Sequence, residues 1–223
     1  MFVERYGSES MTQLTTEAPV RRSQEQRRTQ TRGLLLEATV ASLCELGYSG
    51  TTTLAVEKRA GVSRGARIHH FESKAALLAA AGDYLYEQLS DQYAVAFADP
   101  KGKQSDRQRL RSGLHMLWTI YQRPHYTAVL ELHGAARKDA ELKVRLSEVA
   151  TRHRELALQA SRVFFPGISR IRALRCIETI HAAFVGMRVQ GGITAEALQI
   201  EYVLSALEDL VLSQLKSDPK DRE

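Results

Sequence analysis

Residues 51–77 read TTTLAVEKRAGVSRGARIHHFESKAAL. Three consecutive threonines at 51–53 offer N-cap side chains, which predicts a helix of two turns over residues 54–60 that Gly61 ends. Ser63 can cap a second short helix that runs to about residue 70. Two short helices joined by a tight turn with a glycine are typical of a helix-turn-helix, whose second helix can enter the major groove of DNA.

The side chains around the second helix suit a DNA contact. Arg64 could donate two hydrogen bonds to O6 and N7 of a guanine. Ser63, Thr52 and the exposed backbone N–H groups at helix starts could hold phosphate oxygens, and Lys74 adds a further phosphate partner. A helical hairpin with no DNA role is the alternative interpretation. We expect DNA contacts from Thr51, Thr52, Ser63, Arg64, Gly65, Ala66, Arg67, His69, His70 and Lys74.

The segment from about Gln26 to Leu77 resembles the DNA-binding domain of TetR-family bacterial transcriptional regulators. The resemblance implies an Ω-shaped homodimer in which helices one to three bind DNA and the remaining helices form a ligand pocket and a dimer interface. It also implies a repressor that a small molecule releases from its operator. The matching pieces are Leu35-Leu36, Gly47-Tyr48, Thr51-Thr52, Ala60-Gly61-Val62-Ser63-Arg64-Gly65, His69-His70-Phe71 and Ser73-Lys74.

Three positions depart from the commoner pattern of that family. Glu57 stands where alanine is usual, Arg67 where an apolar residue is common, and Ile68 where a tyrosine often contacts a phosphate. We expect Glu57 to pair with a nearby basic side chain. We expect Arg67 to lay its aliphatic stem over the core while its charged head reaches out.

The charge of the chain is concentrated near this motif. The 223 residues hold 31 Lys and Arg against 26 Asp and Glu, a net charge of +5. Residues 21–79 hold ten of these bases and five glutamates, and such a basic segment beside a near-neutral remainder indicates a module that binds a polyanion. Arg21-Arg22 and Arg27-Arg28 could reach a flanking minor groove or phosphates, or could be a solvated helix start; both readings stay open.

Composition excludes several other classes of protein. Cys44 and Cys176 are too few for a disulfide framework, and no apolar run is long enough to span a membrane, so we predict a cytoplasmic protein without membrane contact. His115, His125 and His133 lack the spacing of a metal-ligand pair, so we predict no metal and no cofactor. No nucleophile elbow, P-loop or dinucleotide fingerprint is present, and an enzyme is not expected.

Helical periodicity predicts an all-α protein of about nine helices. Residues 1–20 are predicted as a flexible tail, residues 21–72 as the helix-turn-helix domain, and residues 73–223 as a larger helical domain for ligand binding and dimerisation. Ser23 with Gln26, and Ser105 with Gln108, form capping-box patterns that predict two of the helix starts.

The larger domain carries aromatic and polar side chains that suit an apolar effector. We predict a pocket formed by Tyr84, Tyr93, His115, Trp118, Tyr121, Tyr126, Glu131, His181 and Phe184. Apolar stripes on the last two helices predict a dimer interface through Ile177, Ile180, Phe184, Met187, Val203, Leu207, Leu210 and Val211. Control by a protein partner instead of a small molecule, and activation instead of repression, are the alternatives.

Overall fold

The computed structural model describes residues 23–96, 104–191 and 197–215, and within these ranges the chain forms nine α-helices and no β-strand. The predicted all-α class is confirmed. The predicted tail at residues 1–20 lies outside the described residues. The helices are α1 Gln24–Gly50, α2 Thr53–Ala60, α3 Arg64–His70, α4 Lys74–Ala96, α5 Asp106–Tyr121, α6 Pro124–Ala136, α7 Ala140–Phe164, α8 Arg170–Gln190 and α9 Ala197–Leu215.

Local side-chain chemistry starts several of these helices where the sequence predicts. Ser23 and Gln26 cap α1 reciprocally, and Ser105 and Gln108 do the same for α5. Gly47 ends the regular part of α1 with φ +64°, a left-handed conformation that favours glycine. A single turn continues to Gly50 beyond this kink.

The helices pack around one continuous core. Helix α4 lies along α7, α1 packs against both α4 and α6, and α9 packs against α5 and α8. The predicted domain boundary at residue 72 falls in the connection between α3 and α4 and stays a prediction. Because α1 rests on α6, the N-terminal helices are fixed directly to the larger helical body. Among the helices described, none combines the length and apolarity that a membrane span requires.

Candidate DNA-binding surface and ligand cavity

The turn between α2 and α3 has the geometry of a helix-turn-helix. Thr52 caps α2 by accepting a hydrogen bond from Ala55 N at 3.1 Å. Gly61 ends α2 with φ +65°, and Ser63 caps α3 by accepting from Ala66 N at 3.2 Å. Val56 of α2 is 1% exposed and belongs to the hydrophobic core. These contacts fix the position of α3 on the protein surface.

The start of α3 is open to solvent. Arg64, Gly65 and His69 are exposed, as are the capping residues Thr52 and Ser63. A methyl group added at Gly65 would meet no atom within 4 Å, so another molecule has room to approach the backbone there. This edge is therefore free to meet a DNA groove, and the DNA contacts of these residues stay predictions. Ala66 is half-buried behind them.

Two residues predicted to contact DNA lie inside the protein instead. Thr51 is 1% exposed, and its hydroxyl donates to Gly47 O at 2.7 Å, closing the end of α1. Arg67 is 7% exposed, and its Nε donates to Glu57 Oε1 at 3.0 Å while Nη1 donates to Phe71 O at 3.2 Å. The DNA-contact predictions for Thr51 and Arg67 are wrong, because neither side chain reaches the surface.

The buried ion pair tests what the sequence predicts for Glu57 and Arg67. Glu57 does pair with a basic side chain, as the sequence predicts. The head of Arg67 does not reach out, since both side chains are about one-tenth exposed. The ion pair between Glu57 and Arg67 therefore joins α2 to α3 across the turn.

Basic residues of α1 extend the surface beside α3. The pKa of His70 is lowered by burial first and then by electrostatic interaction with His69, Arg28 and Arg32. The Arg32 guanidinium lies 5.8 Å from the centre of the Phe71 ring. Arg32 was not predicted to face DNA, although its four-residue spacing from Arg28 puts both residues on one helix face. Arg21 and Arg22 lie outside the described residues.

Tyr48 lies at a junction between the DNA-binding helices and the rest of the molecule, which we call the Tyr48 junction. Its N–H donates to Glu131 Oε2 of α6 at 2.7 Å, and its hydroxyl donates to Asp139 Oδ2 at 3.1 Å. Lys74 Nζ donates to Tyr48 O at 3.4 Å and lies 4.3 Å from the centre of the ring. A methyl group on Gly47 would approach Glu131 Oε2 to 3.1 Å. The junction thus joins α1, α4 and α6 at one point.

This geometry revises two expectations. Glu131 was predicted to lie in the ligand pocket, but its carboxylate instead accepts the Tyr48 N–H. Lys74 is half-buried, and burial lowers its pKa against the opposing effect of Asp139. Its phosphate contact stays a prediction, and the structure gives Lys74 a second role at the Tyr48 junction.

A cavity of about 410 Å³ lies between α4, α5, α6, α7 and α8. This volume is in the range of small-molecule sites. The wall is mostly apolar, with Leu110, Leu117, Ala157, Phe164, Ile177 and Ile180 among its members. Arg154 and Glu178, both about half exposed, form an ion pair of 2.7 Å at its edge. The cavity suits a largely apolar ligand.

Neutral polar groups interrupt the apolar wall. The Tyr86 hydroxyl lies 3.0 Å from His133 Nε2, and the Tyr121 hydroxyl lies 2.9 Å from His181 Nδ1. Burial lowers the pKa of both histidines, and it raises the pKa of Tyr86 to about 12. All three groups are therefore uncharged at neutral pH.

A third histidine, His153, is fixed from two sides. Its ring stacks on Tyr86 with 5.0 Å between centroids, and its Nε2 lies 2.9 Å from Asp83 Oδ1. Burial of Asp83 opposes ionisation, but hydrogen bonds from His153 and Arg152 outweigh it and lower the pKa of the carboxyl. These contacts hold Tyr86 and His153 rigidly in the cavity wall.

Only part of the predicted pocket lines this cavity. Tyr121 and His181 do, whereas Trp118, Tyr126 and Phe184 belong to the core behind it, at 8%, 2% and 0% exposure. The prediction is wrong for those three residues and also for Tyr84, beside Glu37 of α1, and His115, on the surface 3.8 Å from Glu201. The side chain of Tyr93 lies outside the described part of the chain. Tyr86, His133, His153 and Cys176 also line the cavity.

The predicted dimer residues divide in the same way. Phe184, Leu207 and Val211 are at most 5% exposed within a single chain, so the prediction that they meet a partner is wrong. Ile177 and Ile180 line the cavity. Met187 and Val203 are half-buried, and Leu210 is 39% exposed. The outer faces of α8 and α9 instead expose Ile171, Val189 and Tyr202, at 64%, 58% and 72%.

Known proteins resemble the chain in sequence and in fold. Residues 35–81 match the family described as bacterial regulatory proteins, tetR family. The HTH-type transcriptional regulator CymR of Pseudomonas putida is 33% identical over 137 residues, which span 61% of this chain and 66% of that regulator. The HTH-type transcriptional regulator BetI of Burkholderia ambifaria is 28% identical over 193 residues, or 84% of this chain and 95% of BetI.

A solved structure shares the fold. The TetR transcription regulator from Haloarcula marismortui superposes with a TM-score of 0.60 at 19% identity, covering 83% of this chain and 98% of that one. The relatives in sequence are transcriptional regulators, and the prediction that the chain is not an enzyme is confirmed.

Proposed function

Because the chain belongs to the TetR family of bacterial regulatory proteins, we propose that it is a cytoplasmic, homodimeric transcriptional repressor that a small, largely apolar effector releases from a palindromic operator. The observation that carries the proposal is the exposed start of α3. Arg64, Gly65 and Ser63 are open to solvent there, while Arg28 and Arg32 of α1 flank the other end of the helix. Phosphate contacts would place the helix, and Arg64 would read a base.

A dimer is needed because one recognition helix reads too few base pairs for useful specificity. The outer faces of α8 and α9 provide the apolar surface, with Val189, Tyr202 and Leu210 at 58%, 72% and 39% exposure. Two copies of such a helix pair can form an isologous four-helix bundle. The two α3 helices would then enter successive major grooves about 34–36 Å apart.

Helix α6 offers a physical link between the cavity and the DNA-binding helices. It carries His133 in the cavity wall and Glu131 at the Tyr48 junction. Residues two apart lie on nearly opposite sides of a helix, so one helix contacts both sites. A ligand that displaces α6 would move Glu131 and, through Tyr48, the end of α1. This would alter the separation of the two α3 helices.

The proposal is tested by selecting an operator from random duplexes and titrating compounds that stabilise the protein in a thermal-shift screen. An effector is expected to lower operator affinity by about 5–150-fold, and the operator must lower effector affinity by the same factor. In Glu131→Gln the coupling factor should shrink while effector affinity of the free protein is unchanged. If every compound binds equally with and without operator, control by a protein partner becomes the better account.

A further inference from the structure

The hydrogen-bonding pattern of the cavity wall restricts the chemistry of the ligand. Burial raises the pKa of Tyr86 to about 12, so its hydroxyl keeps its hydrogen at neutral pH. The half-buried hydroxyl lies 3.0 Å from His133 Nε2, the acceptor within its reach among the described residues. We infer that the Tyr86 hydroxyl donates and His133 Nε2 accepts.

The hydrogen of the neutral His133 ring must then be on Nδ1. Burial, and second the neighbouring His181, lower the pKa of His133, so the ring is neutral and carries one hydrogen. Within the described ranges, the side-chain hydrogen bond of His133 is the one through Nε2. The cavity thus holds a ring N–H that a ligand can satisfy.

A second imidazole stands next to this donor. The His133 and His181 ring centroids are 6.4 Å apart with 70° between the ring planes. His181 uses Nδ1 toward the Tyr121 hydroxyl, which leaves Nε2 as its other hydrogen-bonding atom. One small oxygen group between the rings can reach both, because a ring nitrogen to oxygen hydrogen bond spans about 2.7–3.2 Å.

We propose that the cavity binds an apolar, aromatic-sized molecule that carries a hydrogen-bond-accepting oxygen group, held by the N–H of His133 with His181 as the second contact. The inference rests on the proposed effector role of the same cavity. Cations are disfavoured, because the charged lining residues described, Arg154 and Glu178, neutralise each other at the edge. The stacking of Tyr86 on His153 holds the hydroxyl that orients His133.

The test compares two probes of nearly equal shape, 2-acetylnaphthalene and 2-isopropenylnaphthalene, which has =CH₂ in place of the carbonyl oxygen. Calorimetric titration of the full chain without DNA should show the ketone binding about 3- to 10-fold more tightly, the value of one hydrogen bond. Naphthalene-2-carboxylate is a third, anionic probe in the same titration. Tighter binding of the ketone or the carboxylate than of the hydrocarbon supports the proposal. Whichever of the two oxygen compounds binds more tightly shows whether the cavity prefers a neutral or an anionic oxygen group.

Variants separate recognition from a general loss of affinity. His133→Phe keeps a ring near the Tyr86 hydroxyl but has no N–H donor, so the ketone preference should fall to about one while the hydrocarbon still binds. Tyr86→Phe should reduce the preference by releasing the ring hydrogen from Nδ1. His125→Gln, an exposed position on the same helix, should leave the preference intact.

Three results would overturn the proposal: neither oxygen compound binding the unaltered protein more tightly than the hydrocarbon, an unchanged preference in His133→Phe, or no binding by any of the three compounds. The outcome is independent of DNA. If the preference is present but these ligands leave operator affinity unchanged, the proposed function is contradicted while the cavity chemistry stands.

Discussion

Replacing Arg67 by alanine is expected to destabilise the DNA-binding helices without removing a DNA contact. Arg67 and Glu57 are about one-tenth exposed, and the guanidinium also donates to Phe71 O at the end of α3. In Arg67→Ala the Glu57 carboxylate stays buried with its ion-pair partner gone. Removing one partner of a buried ion pair costs about 3–5 kcal/mol.

This cost is large beside the total stability of a typical domain, about 5–15 kcal/mol. At about 2–4 °C per kcal/mol for a chain of this size, the melting temperature should fall by about 6–20 °C. Because α2 and α3 lie at one end of the molecule, part of the loss can occur as local unfolding of these helices. The double variant Glu57→Leu/Arg67→Met should recover most of the stability, since apolar residues of similar volume often replace a buried ion pair without cost.

The assay is thermal and urea unfolding followed by circular dichroism, with DNA binding measured below the transition. Arg64→Ala is the matched control, an exposed arginine on the same short helix, and its melting temperature should change by less than about 2 °C. An Arg67→Ala protein with unaltered unfolding and weakened DNA binding would refute the reasoning. Arg67 would then contact DNA, as its position in the sequence first predicts.

Three further predictions follow from other parts of the structure. Lys74→Ala should weaken operator and random duplexes alike and lower the slope of log affinity against log salt by about one, and an unchanged slope would remove Lys74 from the DNA interface. Tyr202→Asp should give a folded monomer by sedimentation, while Val144→Asp, a change at another exposed apolar position, on α7, should stay dimeric. A Tyr202→Asp dimer of normal stability would place the interface elsewhere. Lowered pKa values of His133 and His181 mean that the unfolded chain binds more protons below about pH 6.5, so the free energy of unfolding should fall as the pH drops from 7 to 5. In the His133→Gln/His181→Gln variant the free energy of unfolding should depend less on pH. An equal slope of this free energy against pH in both proteins would contradict the lowered pKa of the two histidines.

Features that depend on near neighbours in the chain could be predicted from the sequence. The Ser23–Gln26 capping box joins residues three apart, so the pattern alone places the start of α1. The end of α2 is also predictable locally, because Gly61 has a left-handed φ that favours glycine. The adjacent threonines show the limit. Thr52 caps α2, but Thr51 turns inward to Gly47 O, and this choice depends on where α1 ends.

The functional residues that the sequence could not place depend on contacts between distant helices. Residue Glu131 is 83 positions from Tyr48, and their hydrogen bond exists because α6 packs on α1. The aromatic residues of α5 gave the same periodic signal whether they faced the core, as Trp118 does, or the cavity, as Tyr121 does. Which face meets an empty space is set by the packing of α7 and α8, and no local pattern encodes it.

Base reading by the exposed start of α3, as proposed, is tested by measuring the affinity of the protein and of Arg64→Ala for two duplexes. These are the selected operator and a scrambled duplex, both at one fixed salt concentration. The unaltered protein should bind the operator at least 10³-fold more tightly. Arg64→Ala should reduce the free-energy preference for the operator by about 1–3 kcal/mol for each α3 helix, while the affinity for the scrambled duplex stays nearly the same. If the variant instead loses affinity for both duplexes equally, Arg64 contacts a phosphate and α3 does not read bases through it.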